Sequence, residues 1–219
     1  MKIIGIDPTV KGYLDIGDEV IEQVKKLVPH GAGNQVDDVK RTSGHADRLT
    51  GMAQRLVGPD WHRPMRNAAA TIKYGSGNCQ DQAAVAYLCL RDRLPSAANV
   101  SYCVAWATKH SFATIGNPET DSEDQVVVVD PWPIHPQAVR WKEHFCRGDN
   151  RLEVKRSKSG KADGPSKVER CKTKHFATTH YEQELIFVTD HPASPTWNHQ
   201  WCAAAKEKIV YSTDLIDFG

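Results

Sequence analysis

Residues 74–94, YGSGNCQDQAAVAYLCLRDRL, hold the reading on which the rest of the chain depends. Cys79 follows a Gly-Ser-Gly-Asn turn and opens an alanine-rich helical run, Gln80–Arg93, which Pro95 stops. A helix N-terminus offers free N–H groups and the positive end of the dipole. Both favour a thiolate, so a cysteine there is expected to ionise below its reference value of about 8.5. Its own N–H would also face the space beside its sulfur, where an oxyanion forms when a thiolate attacks a carbonyl. Gly75 and Gly77 let the backbone come close to a bound group.

A thiolate nucleophile needs a base, and the base needs an orienting partner. Downstream lie three strand-like runs, 100–107, 110–116 and 125–130, most simply a meander with a hairpin loop at Asn117–Asp124. His110 opens the second run, in KHSFATIG. Asp130 closes the third, in VVVVDPWP. If those strands are neighbours and antiparallel, His110 and Asp130 meet at one end of the sheet. A carboxylate placed after four valines needs a partner, and His110 is the expected one.

The ordered set G-N-C-x-x-x-A, H-S-F-x-x-I-G and V-V-V-D-P-W resembles the transglutaminase-like branch of the papain-like cysteine hydrolases. Within that branch it resembles most the bacterial effector and toxin deamidases. The resemblance covers about residues 74–133. It implies an α+β fold in which a nucleophile helix packs on an antiparallel sheet. It implies Cys79 as nucleophile, His110 as general base and acid, and Asp130 as orienting carboxylate. It leaves the second oxyanion donor open among Asn78, Gln80, Gln82 and Gln137. Trp132 either roofs the site or belongs to the core. The implied reaction is deamidation of a glutamine or asparagine on a protein, through a thioester and without a cofactor. Transglutamination and proteolysis share the chemistry up to that intermediate. A non-catalytic interaction module on a degenerate hydrolase fold is the alternative of another class.

Upstream, Leu14, Ile16, Val20, Ile21, Val24 and Leu27 recur at helical spacing. Pro29 and the Gly31–Gly33 pair end that helix. Further helices are expected over Ala46–Val57 and Trp61–Ala70. Residues 1–60 thus read as a helical segment, either a cap on the sheet or an appendage, with residues 61–219 as the hydrolase domain. Downstream, Ala138–Phe145 reads as a short helix. Glu184–Thr189 reads as a strand joining the sheet, Trp201–Lys208 as a helix and Ile209–Ser212 as a last strand. Residues 151–174 carry nine Lys or Arg against three Asp or Glu. They read as a long basic loop open to an acidic partner.

The 219-residue chain is 25% charged with a net charge of +1. That gives no global electrostatic case for nucleic-acid or membrane binding. The apolar runs are far shorter than the ~20 residues of a membrane helix, and no h-region of a Sec signal is evident. The expectation is a cytoplasmic protein, or one delivered to a target cell by a specialised secretion system. Of the six cysteines, none forms a Cys-x-x-Cys pair. Reduced thiols are expected. Cys171 and His175 are four apart without a second pair at ligand spacing, so no metal site is expected.

Overall fold

The computed structural model describes residues 2–60, 62–174, 176 and 208–213. Its centre is the helix that the glycine turn announces. This helix, Cys79–Arg93, is buried on every side from Asp81 to Leu90. A helix apolar all round belongs inside a core, and the small residues Ala83, Ala84 and Ala86 let neighbours approach closely. Those neighbours are numbered in chain order below.

Strand β1 (Lys2–Gly5) precedes α1 (Pro8–Leu27), then α2 (Val36–Arg41), α3 (His45–Val57), α4 (Pro64–Tyr74) and the central α5 (Cys79–Arg93). The sheet follows: β2 (Asn99–Ala105), β3 (His110–Ile115), β4 (Val127–Val129), β5 (Val139–Arg140) and β6 (Leu152–Ser159). After it come α6 (Lys167–Lys172) and β7 (Ile209–Ser212). The five strands run antiparallel in the order β5-β4-β3-β2-β6, so β2, β3 and β4 form the expected meander. The molecule is α+β.

Alternation along the strands divides the sheet into two faces. Tyr102, Val104, Ala113, Ile115, Val127 and Val129 face the helices and share one core with Val10, Leu14, Val20, Ile21 and Val24 of α1 and with α5. Cys103, Phe112, Val126 and Val128 face a second cluster closed by Trp141 and Cys146. Both faces are covered, which is why the Val126–Val129 run is continuous rather than alternating. Helix α1 begins at Pro8, earlier than periodicity indicates. Asp7 caps it by accepting the Thr9 N–H at 2.7 Å, with proline at the first turn.

Two expectations are corrected. Residues 151–174 are not a loop. Residues Leu152–Ser159 pair with β2, and Lys167–Lys172 form α6, whose N-terminal N–H groups of Lys167 and Val168 donate to Asp92 at the end of α5. A run rich in lysine and arginine suits an edge strand, where charge discourages pairing with a further chain. Residues 138–145 are not an α-helix but β5 followed by a short 3-10 turn, Trp141–Glu143. Pairing of Val139 and Arg140 with β4 outweighs the local helical pattern. The outer strands observed are β5 and β6. The strand expected at Glu184–Thr189 lies outside the described residues, as does the helix expected at Trp201–Lys208 up to its final residue. The strand expected at Ile209–Ser212 is present and pairs in parallel with β1. Among the described residues, no helix is long and apolar enough to cross a membrane.

Candidate active site

The register of the meander decides where the functional side chains fall. In β3 and β4, Ala113 stands opposite Val129 and Ile115 opposite Val127. The first residue of β3 therefore lies beside the residues that follow β4. His110 Nε2 and Asp130 Oδ2 are 2.6 Å apart, and both side chains are buried. The N-terminus of α5 reaches the same end of the sheet. Cys79 is half-buried there, 4.0 Å from the Lys109 carbonyl, and shares a cleft wall with His110. With Nε2 turned to Asp130, Nδ1 is the ring nitrogen left for the thiol.

The turn before Cys79 is shaped by close approach. A Cβ on Gly77 would lie 2.4 Å from the Asp81 Cβ and 2.9 Å from the Thr71 side chain, so only glycine fits there. Gly75 ends α4 with a φ of +63°, a conformation glycine adopts without steric cost. Asp81 returns over the helix start and accepts the Asn78 N–H at 2.8 Å, the reciprocal half of an N-terminal capping box. Burial pushes the Asp81 pKa up against hydrogen bonds from Asn78, Gln54, Asn67 and Gln80. The hairpin between β2 and β3 is pinned by Asp149, which accepts from the Ala107 and Thr108 N–H groups at 3.2 and 2.8 Å. Lys109, the residue before His110, has a φ of +53°, a conformation uncommon for a non-glycine residue.

Electrostatics couples the pair. Burial alone would lower the His110 pKa, but the charge and hydrogen bond of Asp130, with a further contribution from Cys79, outweigh it and raise the value to about 10. Burial would raise Asp130, but His110 and His144 hold its carboxyl well below the usual range. The imidazole is thus protonated at neutral pH and faces an ionised carboxylate. A sulfur on the other side of such a ring has, in its thiolate form, a counter-ion and a proton donor in one group.

His144, which sequence reading did not select, is a second imidazole on the same carboxylate. Its Nε2 lies 3.4 Å from Asp130 Oδ2, and its Nδ1 accepts the Cys146 N–H at 3.3 Å. The proton is therefore on Nε2 and directed at Asp130. Burial pushes the His144 pKa down, so the ring is a neutral donor. It stacks between Trp141 and Phe145, with ring centroids 5.9 and 4.4 Å away. His110, Asp130 and His144 bring one potential ligand atom each within 4.8 Å of one another. Both Nε2 atoms are engaged by the carboxylate through hydrogen, so the cluster is bonded as a hydrogen-bond network. Cys171 of the weighed zinc pair is buried in the core, and His175 lies outside the described residues.

Trp132 joins the site to the loop after α1. Its N–H donates to Asp130 Oδ1 at 3.1 Å, its indole N–H to Asn34 Oδ1 at 2.9 Å, and its carbonyl accepts from Gln35 Nε2 at 3.1 Å. It is both roof and core: 3% exposed, yet on the wall of the cleft and 5.1 Å from the His110 ring. That cleft measures about 430 Å³ and is lined by Asn34, Gln54, Cys79, His110, Trp132 and Phe145 among others. Asn78 and Gln80 also line it. Gln82 does not: it is fully buried and donates to the Gly77 carbonyl at 2.9 Å. Gln137 does not either, since it pairs with the Ile209 backbone of β7. Asn34 and Gln54 were not legible as site residues, because neither lies near a motif and both arrive through packing of distant helices and loops. A larger hollow of about 790 Å³ lies at the far end of the sheet, beside Ile115, Asp7 and Arg140, without a cysteine or histidine on its wall.

Comparison with known proteins finds no family model, no curated protein and no solved structure that matches this chain.

Proposed function

We propose that the protein is a cysteine hydrolase of the transglutaminase-like, papain-like type that deamidates a glutamine or asparagine on a target protein. The observation that carries this reading is the His110 imidazole, 2.6 Å from Asp130, on the wall of the same cleft as Cys79. The cleft wall supports it further: amides, two aromatics and one lysine line it, with no carboxylate. A neutral carboxamide side chain suits such a surface. An effector or toxin role, with delivery to a target cell, belongs to the same proposal. The exposed Arg156 and Lys158 of β6 would be the place for an acidic partner.

In the proposed reaction the proton of the Cys79–His110 pair rests on His110, and the Cys79 thiolate attacks the carboxamide carbon. The carbonyl electron pair moves to oxygen, next to the N–H at the start of α5. His110 then gives its proton to the amide nitrogen, the C–N bond breaks, and ammonia leaves the thioester. Water attacks the thioester as His110 removes its proton. The carboxylate departs and the thiolate–imidazolium pair is restored. Asp130 keeps the ring oriented and stabilises its charged form throughout. An amine in place of water would give a cross-link, and a peptide bond in place of the side-chain amide would give proteolysis.

Incubation of a lysate with wild-type protein and with Cys79→Ala, followed by peptide mass spectrometry, tests this. A wild-type-specific gain of about one dalton at a glutamine or asparagine is expected, the mark of an amide hydrolysed through a cysteine nucleophile. Wild-type-specific cross-links or new termini would redirect the reading to a transglutaminase or a protease. Identical digests from both proteins would sink it and favour an interaction module.

A further inference from the structure

Four carboxamide side chains share the cleft with Cys79: Asn34, Gln54, Asn78 and Gln80. Two are committed elsewhere. Gln54 Nε2 donates to Asp81 Oδ2 at 3.2 Å, and the Gln80 side chain bonds the same carboxyl. Asn34 is different. Its Oδ1 accepts the Trp132 indole N–H at 2.9 Å. An indole N–H can only donate, so it fixes which end of the amide is oxygen. The Nδ2 group is therefore turned away from Trp132, and among the described residues it meets no acceptor. The Asn34 backbone N–H donates to Asn78 Oδ1 at 3.1 Å, which ties this residue to the turn that presents the thiol. Trp132, which sets the amide's orientation, is itself bonded to Asp130 and packed on His110. Nucleophile turn, imidazole and amide are thus parts of one frame. The Cys79 N–H, at the first position of α5, likewise has no partner among the described residues.

We propose that the Asn34 Nδ2 amide is the second oxyanion donor, acting with the Cys79 N–H. This rests on the acyl-transfer reading above. Both donors belong to residues that line the cleft beside the sulfur, and preorganised donors facing a developing oxyanion hold its charge without having to rearrange. Asn78 is the rival, since its Nδ2 also meets no acceptor among the described residues. Its oxygen is taken up by the Asn34 N–H and by the capping box of α5, whereas Asn34 is oriented by Trp132, which is itself bonded to Asp130 and packed on His110.

Two small reagents separate the roles. With p-nitrophenyl acetate, the Cys79 sulfur, its proton already on His110, bonds to the carbonyl carbon. An oxyanion forms, then collapses to S-acetyl-cysteine and p-nitrophenolate. With iodoacetamide, the same sulfur displaces iodide directly and no oxyanion arises. Both rates at Cys79 are followed by mass spectrometry. In Asn34→Ala, acetylation should fall about tenfold or more while alkylation stays within about twofold, which also reports an intact site. Trp132→Phe, which keeps the ring but loses the indole N–H, should shift the ratio the same way to a smaller extent. Asn78→Ala, which removes a cap of α5 and the acceptor of the Asn34 N–H, should lower both rates together rather than acetylation alone. Wild-type acetylation in Asn34→Ala overturns the proposal, as does a parallel fall of both rates in that variant or a selective acetylation loss confined to Asn78→Ala. If wild-type protein shows no Cys79-dependent acetylation, the acyl-transfer reading fails, and with it this assignment. If acetylation depends on Cys79 but not on Asn34, only the assignment fails.

Discussion

A proton on His110 is held by a buried carboxylate, and that has a measurable consequence for stability. A group whose folded-state pKa is raised contributes its stability in full below its unfolded value, about 6.5 for histidine. It loses that contribution as the pH climbs toward the folded value, about 10 for His110. Asp130 is shifted the other way: its contribution is present above about 4 and is lost only as strong acid protonates it. The stability difference between wild type and Asp130→Asn is therefore expected to be largest near pH 6 and to shrink by pH 9.5. Urea midpoints at the two pH values check this, and a difference independent of pH would show that the pair is not charged in the folded protein. Turnover in Asp130→Asn should fall by as much as about four orders of magnitude through a misoriented imidazole. Cys79, His110 and Asp130 were legible in the sequence because each sits at the end of an element whose pattern is plain. His144 and Asn34 were not. A lone histidine and an asparagine in the loop after α1 carry no period, and only packing gives them neighbours.

Among the elements, α1 crosses the sheet at its closest point where Gly17 meets β4 and β5. A Cβ there would lie 2.7 Å from the Ala138 Cβ and 3.0 Å from a Val129 methyl. Gly17→Ala should therefore destabilise the fold by about 1–2 kcal/mol, the overpacking cost less the gain in helix propensity. A stabilised variant in thermal or urea unfolding would show that α1 rides further from the sheet. The elements best read from sequence are α1, α3, α5 and the meander, each with a long or strong pattern. Those misread, β5, β6 and α6, are short or polar. Strand β6 carries four charged residues in eight and owes its conformation to its ladder with β2, with a register shift beside Tyr102 and Cys103. Nothing local in Leu152–Ser159 announces that partner.

At the scale of the molecule, residues 1–60 are not packed on their own. Val10, Leu14, Val20, Ile21 and Val24 are buried in the same core as α5 and the sheet. Five such side chains, at about 1.5–3 kcal/mol each, match the whole net stability of an ordinary domain, about 5–15 kcal/mol. Deletion of residues 2–27 should abolish cooperative unfolding, measured by circular dichroism in urea. A cooperative transition in the truncated chain would mean the segment is an appendage. The parallel pairing of β1 with β7 closes the structure from its two ends, and Arg140 N–H donates to the Tyr211 hydroxyl at 3.2 Å. The sequence by itself determined the Cys79 helix, the meander and the chain order of thiol, imidazole and carboxylate, because periodicity and turn chemistry act within a few residues. Only the tertiary structure decided which amides reach the cleft, that a second imidazole shares Asp130, and that a basic stretch becomes a strand. Those outcomes depend on contacts between residues far apart in the chain, and no local pattern encodes them.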